Sequence, residues 1–230
     1  MARNIEHIVE EQALKWQALR RAAADRAPRA FEPAPPQPCI TVSPEMGSLG
    51  MPVAQRAAAD LGFDLFEREL VDRIAQTAHV RTYLVESVDM HTQNAIENWV
   101  GRQLGRAFFA ESDYVTNLSK VLLTLAQHGN AVIIGRGAQF ILDPAHTLRI
   151  RVVAPIELRI DRVAKRDGID RTDARSKILR VDSDRAAFVR RHFDEDIADP
   201  LRYDLVLSTE KLSAEACAGL VVSAYRSRFS

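Results

Sequence analysis

Cysteine is scarce. Cys39 and Cys217 are the two in a chain of 230 residues, and they stand far apart. Neither belongs to a CxxC pair or a Cys/His cluster, so the thiols carry no redox or zinc-binding signature and read as small hydrophobes. No apolar run approaches the ~20 residues that a membrane span needs. The N-terminus carries acids and lacks the apolar core of a signal peptide. A cytoplasmic protein without membrane contact is expected. Net charge is also missing: lysine plus arginine equal aspartate plus glutamate at 31 each. No global basic field therefore points to nucleic acid or to an anionic membrane surface. The histidines, His7, His79, His91, His128, His146 and His192, scatter without metal-ligand spacing. No metal site and no Ser/His/Asp set is expected, and no segment repeats.

What is present falls into three stretches. Residues 1–27 carry a helical periodicity, with Ile5, Ile8, Val9, Ala13, Trp16 and Leu19 on one face. Residues 28–38 hold five prolines between Pro28 and Pro38; proline forbids helix and favours an extended tether. The arm packs either on its own domain or on a second chain, as a homodimer contact or a docking element for another protein. From residue 39 to 230, β-rich runs alternate with helical ones. Cys39–Val42, Phe63–Phe66, Ala131–Ile134, Leu148–Ala154 and Asp204–Ser208 read as strands. Segments 51–61, 67–78, 156–166 and 172–191 read as helices, 81–128 is mostly helical, and Ser213 caps a last helix to about Arg226. Such alternation implies a parallel sheet covered on both faces.

The first strand runs into Ser43-Pro44-Glu45-Met46-Gly47-Ser48-Leu49-Gly50 and then a helix with Pro52 in its first turn. A strand, a glycine-bearing loop and a helix N-terminus form the usual phosphate cradle of α/β proteins. The pattern GxxxxGK[ST] is not met, because Met51 and Pro52 follow Gly50 where lysine and a hydroxyl residue are required. On these residues alone, a plain turn explains the loop as well as a phosphate site does.

Four segments, taken in order, narrow the choice. ITVSPEMGSLGMPVAQRAAADLGFDLFERELV, AVIIGRGAQFIL, LRIRVVAPIELRIDRVAKRDG and YDLVLSTEKLS resemble the cytidylate kinase-like family over most of residues 39–225. The resemblance implies an α/β fold of the P-loop nucleoside monophosphate kinase kind. That fold has three layers, a five-stranded parallel sheet and a helical lid; here an N-terminal helical arm is added. It also implies transfer of the ATP γ-phosphoryl group, with Mg²⁺, to a nucleoside monophosphate such as CMP or dCMP. Departures concentrate in the loop, where Pro44 and Met51 stand for arginines, Leu49 for a glycine and Pro52 for a glutamate. Two cations and a flexible position are thereby lost, and leucine disfavours the positive φ that glycine supplies. A catalytically impaired nucleotide sensor or partner-binding protein on the same fold is the alternative reading.

Under the resemblance, the backbone at Gly47, Ser48, Leu49, Gly50 and Met51 holds the donor nucleotide. Arg136 leaves a buried strand between Gly135 and Gly137, at the sheet edge where open α/β folds bind ligands. It is read as a ligand of the acceptor phosphate, the other reading being a cap for strand carbonyls. Arg159, Arg162 and Arg166 share a helix face. Arg162 and Arg166 are expected to reach the donor phosphates as lid arginines, with a solvated charged face as the alternative. Arg180 and Arg185 are placed at the phosphates, Asp184 at the nucleobase or an arginine, and Glu67 and Arg68 beside the acceptor nucleotide. Glu45 organises Mg²⁺-bound water or caps the loop amides.

Overall fold

A computed structural model describes residues 38–88, 90–104 and 113–229 of the chain. The arm expected at 1–27 and all of the linker but Pro38 lie outside them. The chain divides into two compact units, one of Pro38–Glu67 with Asn130–Ser230, the other containing Arg68–Gly129.

The first unit carries the sheet. Its strands are β1 (Cys39–Pro44), β2 (Asp64–Phe66), β3 (Ala131–Ile134), β4 (Thr147–Val153) and β5 (Leu205–Ser208). They lie in the order β2-β3-β1-β4-β5, and every neighbouring pair is parallel. Helix α1 (Gly50–Leu61) follows β1. The second unit is helical: α2 (Arg68–Gln76), α3 (Ala78–Glu86), α4 (Met90–Leu104) and α5 (Asp113–His128). The chain returns to the sheet unit with α6 (Ala138–Ile141), α7 (Ile156–Asp167), α8 (Arg171–Phe193) and α9 (Ala214–Phe229). The helix expected over 67–78 ends at Gln76 and a new one starts at Ala78, because Thr77 adopts extended backbone at φ −93° and ψ 105°. A β-branched side chain suits that conformation better than a helix interior. Ser213 does cap α9: its Oγ accepts from the amide of Ala216 at 3.2 Å.

Strand register explains how the sheet is used. Ile40 is level with Val132 and Leu148, and Val42 with Ile134 and Ile150. These side chains share one face with period 2 and pack on Val53, Ala54, Ala57 and Ala58 of α1 and Cys217, Ala218 and Val221 of α9. The alternate positions bring Ser43 level with Arg151. The second face therefore turns polar at the carboxyl ends of β1 and β4. Both cysteines are buried, and burial pushes the Cys39 thiol up to about 11 despite its contact with Thr147. In the helical unit, Val71, Ile74, Leu84, Val115, Leu118 and Leu122 form buried apolar positions. There the Tyr114 hydroxyl donates to Asp72 at 2.6 Å.

The turn after β3 is unusual. Gly135, Arg136 and Gly137 all have positive φ, at 75°, 54° and 67°. A β-carbon on Gly137 would meet the Phe193 ring at 2.2 Å. Phe193 belongs to α8 and stacks on Phe140 with ring centroids 5.5 Å apart. Gly137→Ala is therefore expected to cost about 1–3 kcal/mol, measured as a lower midpoint in urea unfolding with unchanged slope.

Candidate functional site

The loop from Ser43 to Gly50 sits at the carboxyl end of the sheet. Glu45 donates its amide to Val152 O at 3.0 Å, and Ser48 donates to Glu45 O at 3.2 Å. Both glycines answer to steric need. A β-carbon on Gly47 would stand 3.0 Å from Arg159 O, and one on Gly50 would stand 2.3 Å from Pro44 Cβ. Gly47 also has φ 82°. Leu49 adopts the left-handed conformation at φ 60° and ψ 18° and is the N-cap of α1, at an expected cost of roughly 1–2 kcal/mol. Leu49 and Met51 pack against the apolar core, so both contribute backbone to the loop rather than side chain. No side chain caps α1 and no acidic residue lies in its first turn. The positive end of the helix thus lacks a built-in counter-charge.

Guanidinium groups from three elements converge on this loop. Arg151 of β4 donates to Ser43 Oγ at 3.0 Å and lies 3.6 Å from Glu45 Oε1. Arg159 of α7 donates to Asp182 Oδ2 at 2.5 Å and sits 3.5 Å from Glu45 Oε2. Arg162 of α7 donates to Thr209 O at 2.7 Å and to Gly47 O at 3.4 Å. Arg185 of α8 donates to Pro44 O at 2.8 Å. Two carboxylates balance them. Glu45 also accepts from the Ala154 amide at 3.3 Å, and Asp182 accepts from the Met46 amide at 2.9 Å. Thr209 closes the ring by donating its hydroxyl to Ser48 O at 2.8 Å. Arg151 and Arg159 are buried, and burial lowers the pKa of Arg162.

Of the residues expected from sequence, the loop backbone at 47–51, Arg162 and Arg185 belong to this assembly. Arg136 lies in the turn after β3, the strand beside β1, and its guanidinium lies 5.7 Å from the centroid of the Phe188 ring. Arg166 is exposed at the end of α7 and pairs with Asp167 at 2.6 Å. That pairing, with Lys177, holds the Asp167 carboxyl well below its usual range. Arg180 and Asp184 are exposed on α8. Glu67 is half-buried after β2, and Arg68 opens the helical unit with Asp72 at 4.0 Å. Sequence reasoning placed Asp182 in the aspartate–arginine cluster 182–185 without giving it a contact, and it did not single out Arg151, Thr209 or the central place of Arg159. Two signals were available. A charged residue at 151 inside an apolar strand faces the same side as Ser43, and Asp182 and Arg185 share a helix face at i, i+3.

Aromatic packing supports the turn that carries Arg136. Phe188 lies 4.7 Å from the His192 ring and 6.0 Å from Phe193. Burial, aided by the charge of Arg191, lowers the His192 pKa from 6.5. The folded state then binds its proton less readily than the unfolded chain. The corresponding stability is present above pH 6.5 and lost as pH falls through the folded value. Thermal midpoints should decline as pH falls below 6.5, and His192→Gln should flatten that part of the profile.

Fold and loop together define the class: a three-layer α/β protein of the P-loop nucleoside monophosphate kinase kind. The chain belongs to the cytidylate kinase-like family, whose model matches residues 39–211. It is similar to the cytidylate kinase of Staphylothermus marinus, 35% identical over 97 residues, which are 42% of this chain and 54% of that protein. The cytidylate kinase of Ignicoccus hospitalis is 24% identical over 177 residues, 77% of this chain and 92% of the relative. The strongest of these local matches thus span about half the length of the curated relatives. An uncharacterized protein of Eubacterium ventriosum shares the fold, with TM-score 0.68 and 20% identity over 84% of this chain and 99% of that one.

Arg159 touches both carboxylates of the loop. Arg159→Met should lower the unfolding free energy by about 3 kcal/mol, because two partly buried carboxylates lose their shared counter-charge. Arg166→Met, at an exposed pair, should change it by no more than about 0.5 kcal/mol. Urea unfolding of the two variants checks both values.

Proposed function

We propose that this protein transfers the γ-phosphoryl group of ATP to a nucleoside monophosphate, with CMP or dCMP as the acceptor. The observation that carries this reading is the convergence of Arg151, Arg159, Arg162 and Arg185 on an uncapped helix N-terminus after β1. Membership of the cytidylate kinase-like family supports it. Phosphoryl transfer depends on positioning and charge neutralisation rather than on covalent chemistry by the protein. The loop fits an anion, since the Met46 amide already donates to the Asp182 carboxylate there.

In this proposal the backbone of Gly47–Met51 holds the donor phosphates and Arg162 lies beside them. Arg166 and Arg180 swing in from exposed positions. Arg136 grips the acceptor phosphate, with Glu67, Arg68, Asp184 and Arg185 reading the rest of the nucleotide. The acceptor is already an anion, so no general base is required. Mg²⁺, when bound, neutralises charge on the phosphates. Glu45 is engaged with Arg151, Arg159 and the Ala154 amide, so phosphates and water would supply most of the metal's ligands. The chain is assigned to the cytoplasm, and its N-terminal segment 1–27 to a homodimer or partner contact. Among the described residues no helix is long and apolar enough to cross a membrane.

The absent lysine and the engagement of the loop arginines with protein oxygens favour a second reading: a nucleotide-sensing or partner-binding protein without turnover. A coupled assay for ADP release with CMP, dCMP and UMP separates the two. Turnover with a cytidine nucleotide is expected, and Arg136→Ala should reduce kcat by about 10²–10³-fold in a folded protein. Saturable nucleotide binding with no turnover at any Mg²⁺ concentration would leave the sensor reading standing.

A further inference from the structure

Asp182 occupies a telling position. It lies in the middle of α8, far from either end of a 23-residue helix, and reaches across 136 positions of sequence to the Met46 amide. One carboxylate oxygen takes that amide at 2.9 Å and Arg185 Nη1 at 3.4 Å. The other takes Arg159 Nη1 at 2.5 Å. A loop amide and two guanidinium groups are the kind of donor set that binds a phosphoryl oxygen.

The helix has other anchors. Asp170 caps its start by accepting from the Asp173 amide. Ala174 and Ile178 pack on Ile160 and Val163 of α7, and Phe193 fills the space beside Gly137. The bonds of Asp182 are therefore not the only anchors of α8. Their consequence falls on the loop, where they fill an amide and engage two arginines. The helix ends at Asp194, which is left-handed at φ 54°, and Gly168, left-handed at φ 66°, ends the preceding α7.

We infer that Asp182 is an internal competitor for phosphate: its carboxylate occupies an anion position of the loop, and a nucleotide binds by displacing it. The inference rests on the reading of the loop as a phosphate site. Displacement releases the Met46 amide, Arg159 and Arg185 from the Asp182 carboxylate together, which supplies positive charge to a loop that lacks its own lysine. Apparent affinity is then reduced by the fraction of molecules in which Asp182 has withdrawn. The device would keep the site closed to weakly charged anions and admit polyphosphates.

The test is titration calorimetry of the full chain with ATP and with inorganic tripolyphosphate. Asp182→Asn, which keeps the shape and removes the charge, should bind both about tenfold more tightly than the natural protein. Glu157→Gln is the charge control: it removes an equal charge at an exposed pair with Arg171 and Arg175 and should give no such gain. Amide exchange over residues 44–50 should quicken in free Asp182→Asn and slow again with ATP. Equal or weaker binding by Asp182→Asn, while the natural protein binds ATP, overturns the competitor and leaves the kinase reading intact. An equal gain in Glu157→Gln also overturns it, because a general field would then account for the effect. No binding of ATP by either protein overturns both readings. Asp182→Ser gives the same comparison if the asparagine variant fails to fold. Loss of folding in both variants makes Asp182 a structural residue and overturns the competitor.

Discussion

Arg159 stands between Glu45 and Asp182, 3.5 Å from one carboxylate and 2.5 Å from the other. Around it the loop takes its shape. Its backbone carbonyl passes so close to Gly47 that a β-carbon there would stand only 3.0 Å away, and its side chain ties the loop after β1, α7 and α8 to one place. A guanidinium suits this task because its planar fork serves several acceptors at once. Remove it, and two partly buried carboxylates face each other across a loop without a lysine. The arrangement is costly in desolvation, and the hydrogen bonds around it offset that cost only while all are made.

The same network shows how a loop poor in its own cations gathers charge. The residues after Gly50 bring a methionine and a proline, and their side chains do not serve the loop. Positive charge arrives from β4, α7 and α8 instead. Parallel register makes this possible. Ser43 and Arg151 are level in adjacent strands, so the end of one strand delivers a guanidinium to the loop that begins at the end of the other. Charge supplied from several elements is also charge that can be redistributed when one of them shifts.

Much of the fold was legible in the sequence because it rests on local pattern. Apolar runs such as Ala131–Ile134 and the alternation at Leu148–Ile150 mark strands of a parallel sheet, and Ser213 marks a cap. The loop was legible as a strand-to-helix junction. Its interior was not, since the side chains that engage Met46, Gly47 and Ser48 come from more than a hundred residues away. Leu49 is instructive. Leucine argues against a positive φ, yet the chain holds it at 60° because its side chain gains apolar packing. Arg166 illustrates the converse: helical spacing aligns it with Arg162, but a neighbouring aspartate engages its guanidinium. Spacing identifies a face; competing partners decide which residues on it are available.

Phosphorus NMR of the protein with Mg²⁺-ATP and CMP tests the central claim most directly. The account predicts that the signals of ADP and CDP grow together in equal amounts, with little inorganic phosphate. ATP that stays intact, or is lost only to inorganic phosphate, with CMP, dCMP and UMP alike, would contradict it.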